Sequence, residues 1–381
     1  MPNVTISVCM IVKDEERALG RCLDSVALFA DEIIVVDTGS TDATKKIAAR
    51  FTPHVHDFAW TDDFAAARNA SYAYASCDYL MWLDADDVVP DEDARKICSL
   101  KSQMPPETDV VLMAYVGDER PDDPSSRWIL LRDRLIRRSL QPRWMYPIHE
   151  AIPIEEGYRR LYRDDIQVLH KKEAVNEPGR NLRIFNEKLD EGFQMNRYNR
   201  AYFCRELCVS GQHERAVALY GRMRDEMPDQ AHAGSDEARR CQADMHYAAL
   251  FYAESMKALG RWEELLAELQ RRSEEEPPDE WACCTMGDCL RALERPDDAV
   301  RWYERALQTP IDLRDLRVHY PACHDFYPAV HLATLYAKQG ANERARTLFD
   351  QASKRYPRSL ALAPLRVYLG IMDATHVSEK G

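Results

Sequence analysis

The 381 residues carry 51 Lys and Arg against 64 Asp and Glu, a net charge of -13, which argues against a nucleic-acid partner because such partners are held by a basic surface. Hydrophobic residues at 45% and charged ones at 30% give the balance of a folded globular chain, and the length exceeds what one core usually serves, so two domains are expected. No apolar run is long enough to span a bilayer, and the opening MPNVTISVCM has neither a basic leader region nor a cleavage site, so a cytoplasmic protein with reduced, mostly packing cysteines is expected.

In chain order, TISVCMIV reads as a first strand, followed by Leu19, Cys22, Leu23, Val26 and Ala27 at helical spacing. EIIVVD is a second buried strand, and STDATKKIAARF a second helix with Ser40 or Thr41 placed to cap it. FAAARNASYAYAS is a third helix leading into the strand DYLMWLD. Short apolar strands separated by helices predict parallel pairing through right-handed crossovers, a doubly wound sheet. Ligands of such sheets collect beyond the carboxyl ends of the strands. Lys13 to Glu16, Asp37, and Asp84 to Asp87 each follow a strand, so all three polar clusters fall on one rim. Clustered carboxylates repel one another unless solvated, turned outward or bound to a cation. YLMWLDADDVVP is therefore either a polar turn running to a helix at Asp91 or a metal site.

From about Asn181 onward only helices are expected. YFCRELCVSGQHERAVALYGRM, ALFYAESMKALGRWEELLAELQRR, CCTMGDCLRALERPDDAVRWYERALQ and AVHLATLYAKQGANERARTLFDQASKRYP each read as two helices joined by a short turn. Superposing KALGRWEELL on RALERPDDAV aligns Leu259 with Leu293, 34 residues apart, the period of a tetratricopeptide unit. Such pairs stack into a solenoid with a concave face. The polar, Pro- and Gly-punctuated KKEAVNEPGR sets the expected boundary, giving domains 1–175 and 176–381.

Taken in order, ISVCMIVKDEE, EIIVVDTGSTDAT, DFAAARN and YLMWLDADD resemble the successive motifs of the family 2 glycosyltransferases with the GT-A nucleotide-sugar fold. LRDRLIRR and PIHEAI resemble the acceptor-side half of bacterial members fused to tetratricopeptide repeats, among them enzymes that modify peptide bacteriocins on cysteine or serine. The resemblance implies an α/β GT-A domain with a doubly wound, mostly parallel sheet, followed by an all-α tetratricopeptide-like domain. It implies inverting transfer of a sugar from a UDP-sugar donor to a peptide or protein acceptor, with Mn or Mg as the cofactor. Carboxylate oxygens suit either ion.

Under that resemblance Val12 and Glu15 wall the nucleoside, Asp37 accepts a hydrogen bond from the base, Arg68 contacts the diphosphate or uridine, and Asp84 meets the ribose or donor sugar. Asp86 is the direct metal ligand, His170 a further one, and Glu150, beside His149, takes the acceptor proton that an inverting displacement releases. Each has a plainer counterpart: a turn at DTGS, a solvated Arg68, a packed or capping His170. The ED motif that supplies the base in many members is not evident in this sequence, which leaves the base open. A nucleotidyl transferase would also use metal-binding aspartates, but CMIVKDEER lacks the glycine-rich loop such enzymes carry. A glycan or small-molecule acceptor, and a catalytically silent repeat scaffold, are the other readings. Repeat faces are also compatible with a homodimer.

Overall fold

The computed structural model describes residues 3–118, 120, 123–153, 157–172, 179–226, 236–357 and 359–370. Contacts divide the chain into two compact units, one of Met1–Gly117, Leu130–Ala249 and Leu313–Arg317, the other of Asp118–Ile129, Leu250–Asp312 and Val318–Gly381. The boundary expected between residues 175 and 176 lies within 173–178, outside the described residues.

The first unit begins with strands and helices in alternation: β1 (Ile6–Val12), α1 (Leu19–Val26), β2 (Glu32–Asp37), α2 (Thr44–Ala48), β3 (Val55–Asp57), α3 (Phe64–Ala73) and β4 (Tyr79–Trp82). β1 pairs in parallel with β2 and β4, and β2 with β3. The apolar run of β1 is buried on both faces, as a strand covered by helices on either side must be. Leu19, Cys22, Leu23 and Val26 of α1 are fully buried, while Ala27 lies beyond the helix and is exposed.

After β4 come β5 (Asp87–Val88), α4 (Asp91–Gln103), β6 (Val110–Asp118), β7 (Arg127–Arg137) and β8 (Arg160–His170). All eight strands form one sheet in the order β3-β2-β1-β4-β7-β6-β8-β5. Antiparallel pairing enters at β4/β7 and β5/β8, while β6 and β8 are parallel. The sheet is mixed in this half because the link 119–126 between β6 and β7 is too short to hold a helical crossover.

Two local expectations fail. Neither Ser40 nor Thr41 caps α2: the Ser40 hydroxyl accepts from the Asp14 amide at 2.9 Å and the Thr41 amide donates to Asp14 Oδ1 at 2.7 Å. Glu16 Oε2 likewise accepts from the Ala43 amide, so Asp14 and Glu16 fasten the loop after β1 to the loop after β2. The strand β3 was not expected, since the run VHD has no apolar period to announce it.

The helices of the first unit are α5 (Arg180–Asp190), α6 (Arg197–Val209), α7 (His213–Asp225) and the start of α8 (Asp236–Ala258). Phe185 of α5 packs on Phe203 of α6 with ring centroids 5.2 Å apart, and the Cys204 thiol points at the carbonyls of Ala216 and Ala248 on α7 and α8. The second unit continues with α9 (Trp262–Glu275), α10 (Glu280–Ala292), α11 (Pro296–Ala306), α12 (Pro321–Asp325), α13 (Tyr327–Lys338), α14 (Asn342–Arg355) and α15 (Ala363–Tyr368).

The four expected hairpins are α6/α7, α8/α9, α10/α11 and α13/α14. Each turns on one residue of positive φ, namely Gly211 (73°), Gly260 (69°), Glu294 (57°) and Gly340 (80°). In each, the next amide donates back across the last helical turn: Gln212 to Leu207, Arg261 to Met256, Arg295 to Leu290 and Ala341 to Tyr336. This closure satisfies carbonyls that a helix end otherwise leaves bare. No helix among the described residues is long and apolar enough to cross a membrane.

Candidate functional site

The parallel register sets Val12, the last residue of β1, beside Asp37, the last of β2. β4 lies on the other side of β1, so the Asp84–Asp87 turn leaves the same edge of the sheet. The Val12 carbonyl accepts from the Thr38 amide at 2.9 Å, and the Glu15 amide donates to the Thr44 hydroxyl at 2.7 Å. Asp37 is almost wholly buried: Oδ1 accepts from the amides of Gly39 and Ser40 at 3.0 and 2.9 Å, while Oδ2 meets no donor among the described residues. One Asp37 oxygen thus shapes the turn, and the other is a buried acceptor with no partner among the described residues.

Arg68 comes from α3 with its guanidinium 4.9 Å from the Trp144 ring and 5.2 Å from the Trp82 ring. Its Nη2 donates to Asp84 Oδ1 at 2.6 Å and its Nε to Glu150 Oε1, while the buried Nη1 has no acceptor among the described residues. Burial works to raise the Asp84 pKa, but the charge and hydrogen bond of Arg68 outweigh it and hold the carboxyl below its usual range. Arg68 thus reaches a carboxylate 82 positions away in the chain while holding Asp84, 16 positions away.

Strand β5 pairs with the end of β8, Asp87 opposite His170, and this brings the histidine to the aspartate turn. His170 Nδ1 lies 3.4 Å from Asp86 Oδ1 and 3.3 Å from Asp87 Oδ1. Asp86, Asp87 and His170 can each offer one donor atom within 4.8 Å of the others. Asp86 is pushed up to about 6, by burial first and then by the charges of Asp84 and Asp87, with His170 working against them. Burial pulls His170 down, yet the Asp87 hydrogen bond and the surrounding carboxylates leave it above its ordinary value. Two carboxylates and a histidine with donor atoms this close form a set suited to a divalent cation.

His149 turns elsewhere. Its Nε2 lies 2.9 Å from Glu206 Oε1 on α6, and its ring stacks on Tyr202 at 4.3 Å. Burial holds His149 below its ordinary pKa, while Glu206, despite burial, is held down to about 2 by that hydrogen bond and by Arg205. A neutral imidazole donating to a carboxylate satisfies both shifts. The structure therefore brings Arg68, Asp84 and Glu150 together, and Asp86 with His170, but not His149 with them.

Sequence reasoning placed Asp87 in the carboxylate cluster without giving it a role, and missed Tyr115 and Arg134 as members. Arg134 is wholly buried, 3.8 Å from the Trp82 ring and 4.2 Å from the Tyr115 ring, and its Nη1 lies 3.4 Å from Asp87 Oδ2. Nothing local marked it, since Arg134 falls in the charged stretch Arg132-Asp133-Arg134 of β7.

The profile described as Glycosyl transferase family 2 matches residues 7–166, which contain β1 through most of β8 and nearly all of these residues. The N-terminal domain is a family 2 glycosyltransferase domain. Its mixed sheet has the GT-A fold, and a second profile, described as Bacterial transcriptional activator domain, matches residues 207–313 in the tetratricopeptide-like helices. Among curated relatives, a TPR repeat-containing protein of Synechococcus elongatus is 37% identical over 147 residues, 39% of this chain and 35% of that one. The SPbeta prophage-derived glycosyltransferase SunS of Bacillus subtilis is 36% identical over 98 residues, 25% of this chain and 23% of that one. The chain thus spans about a third or less of the length of these relatives. Among solved structures, glucosyl-3-phosphoglycerate synthase from Mycobacterium tuberculosis with Mg2+ and UDP aligns at 23% identity, covering 29% of this chain and 44% of that one, with a TM-score of 0.26.

Proposed function

We propose that this protein is an inverting, metal-dependent glycosyltransferase that moves a sugar from a UDP-sugar donor to a peptide or protein acceptor. The observation that carries the proposal is the rim where Asp86 and His170 stand side by side while Asp37 and Arg68 each keep one buried polar atom with no partner among the described residues. Asp37 Oδ2 suits the imino N–H of a uracil base, with Val12 and Glu15 beside it. Arg68 Nη1 suits an anionic oxygen of the diphosphate or a hydroxyl of the uridine, since a guanidinium forks onto such groups. Asp84, positioned by Arg68, is assigned to the ribose or donor sugar.

Asp86 and His170 would hold Mn or Mg. When bound, the ion supplies charge stabilisation to the departing diphosphate. Glu150 is assigned the acceptor proton. The acceptor heteroatom bonds to the anomeric carbon as the bond to the diphosphate oxygen breaks, its electron pair leaving with the nucleotide and the proton passing to the carboxylate. The hydrogen bond from Arg68 fixes where that carboxylate stands, and His149, pinned to Glu206 and Tyr202, is assigned to hold the loop that carries it.

The peptide acceptor is favoured by the helix pairs that follow the catalytic domain, because grooves of this kind bind extended chains. SunS and a TPR repeat-containing protein among the relatives fit the same reading. Calorimetry with UDP and Mn tests the donor half, and mass spectrometry of peptides incubated with a panel of UDP-sugars tests the acceptor half. Failure of UDP and Mn to bind would leave a silent scaffold as the reading. Glu150→Gln should lower transfer by about two to four orders of magnitude with donor binding retained.

A further inference from the structure

Asp87 is the most fully engaged carboxylate of the turn. It has no exposed surface. Its Oδ1 accepts from the Tyr115 hydroxyl at 3.0 Å and faces His170 Nδ1 at 3.3 Å. Its Oδ2 accepts from the Asp84 amide at 3.1 Å and lies 3.4 Å from Arg134 Nη1. Asp86, by contrast, keeps 21% of its side chain exposed on the rim.

Arg134 is equally buried, and among the described residues its hydrogen bonds run through Nη1 alone, with Nε and Nη2 finding no acceptor. The same Nη1 donates to the Trp82 carbonyl at 3.0 Å, and the guanidinium is held between the Trp82 and Tyr115 rings. A permanent cation with no exposed surface, clamped by two aromatic faces, has little freedom to follow a ligand. Beside three carboxylates it supplies the charge balance the turn requires before any cation arrives. The Tyr115 hydroxyl completes the link, since it also lies 3.0 Å from His170 Nδ1.

Resting on the metal-site reading above, we infer that Arg134, Asp87 and Tyr115 are a buried positioning set that aims His170, and that Asp87 is not itself a metal ligand. Each Asp87 oxygen already faces two polar neighbours, so coordination through either would compete with them. Carboxylates in this place behind a ligating histidine commonly set ring orientation and basicity, and their loss weakens metal binding without abolishing it.

The test is calorimetry of Mn in the presence of UDP on the full chain, together with histidine nitrogen shifts of the metal-free protein assigned through His170→Asn. Asp86→Ala should abolish Mn binding, whereas Asp87→Asn and Tyr115→Phe, which keep shape, should weaken it by about 10- to 100-fold. Arg134→Gln should behave as Asp87→Asn does, with Arg134→Lys recovering part of the loss. The His170 nitrogen shifts should move in Asp87→Asn and in Arg134→Gln without any metal present. Abolition of Mn binding by Asp87→Asn would make Asp87 a direct ligand, and Mn affinity within twofold of wild type would remove the positioning role. Should the wild type bind no Mn or UDP, the functional reading fails, and the His170 shifts then decide the positioning set alone. If Arg134→Gln does not fold, Asp87→Asn and Tyr115→Phe carry the decision.

Discussion

Replacing Arg68 with alanine would leave two carboxylates, Asp84 and Glu150, facing each other without the cation that joins them. Breaking a buried pair by removing one partner costs about 3 kcal/mol, far more than the pair itself contributes over apolar packing. Arg68→Ala should therefore lower the denaturant midpoint markedly, and Arg68→Lys should restore only part because an ammonium cannot fork to two carboxylates. Equal midpoints for Arg68→Ala and wild type would show that the pair is solvated. His331 gives a pH dependence remote from the site. It stacks on Tyr303 at 5.0 Å, and burial holds it down to about 4, with Arg291 and Lys257 adding to the effect and Asp288 opposing it. A base whose folded pKa lies below its unfolded value contributes stability above the unfolded value, and that stability is lost as pH falls from about 6.5 toward 4. At 23% exposure the loss should be about 2 kcal/mol. Thermal melts of His331→Gln should show a smaller decline across that window, and an identical decline would place the acid sensitivity elsewhere.

At the scale of elements, the helix hairpins explain why part of the fold could be read and part could not. Gly211, Gly260 and Gly340 mark their turns because glycine adopts positive φ without strain, and Leu259 and Leu293 carry the 34-residue period. Glu294 does the same work in a strained conformation, so Glu294→Gly should stabilise the second unit by about 0.5–1 kcal/mol, read as a higher midpoint. Gly287 shows the opposite case. A Cβ there would stand 2.6 Å from the Tyr303 ring, so Gly287→Ala should destabilise by about 1–3 kcal/mol although alanine is the better helix former. A gain in stability would mean that the ring moves freely. The rim was legible for a related reason: Asp37, Asp84 and Asp86 end apolar strands, and strand ends are local signals. Arg134, Tyr115 and Glu206 were not legible as site members, because what fixes them is contact between elements far apart in sequence. The capping role expected of Ser40 fell to the same cause, since the competing partner, Asp14, lies on another loop.

At the scale of the whole molecule, the question is what the helices do for the catalytic sheet. A division after residue 175 would separate His149 from Glu206 and Tyr202, Arg132 from Tyr202, and Asp62 from Arg183. It would also part the His149 ring from Phe185, 5.9 Å away in the intact chain. These helices belong to the same compact unit as the sheet, which supports a bracing role for α5 through the start of α8 whatever the later hairpins bind. A chain ending at residue 175 should therefore melt without a cooperative transition, or roughly 10 °C or more below the full chain, and should bind a hydrophobic dye. Loss of acceptor transfer in that fragment would then report lost folding rather than a lost peptide groove, so donor hydrolysis must be measured beside it. A fragment that melts cooperatively at the temperature of the full chain would show that the first helices brace nothing. In that case a fragment that hydrolyses donor but fails to modify the peptide would locate acceptor binding in the helices.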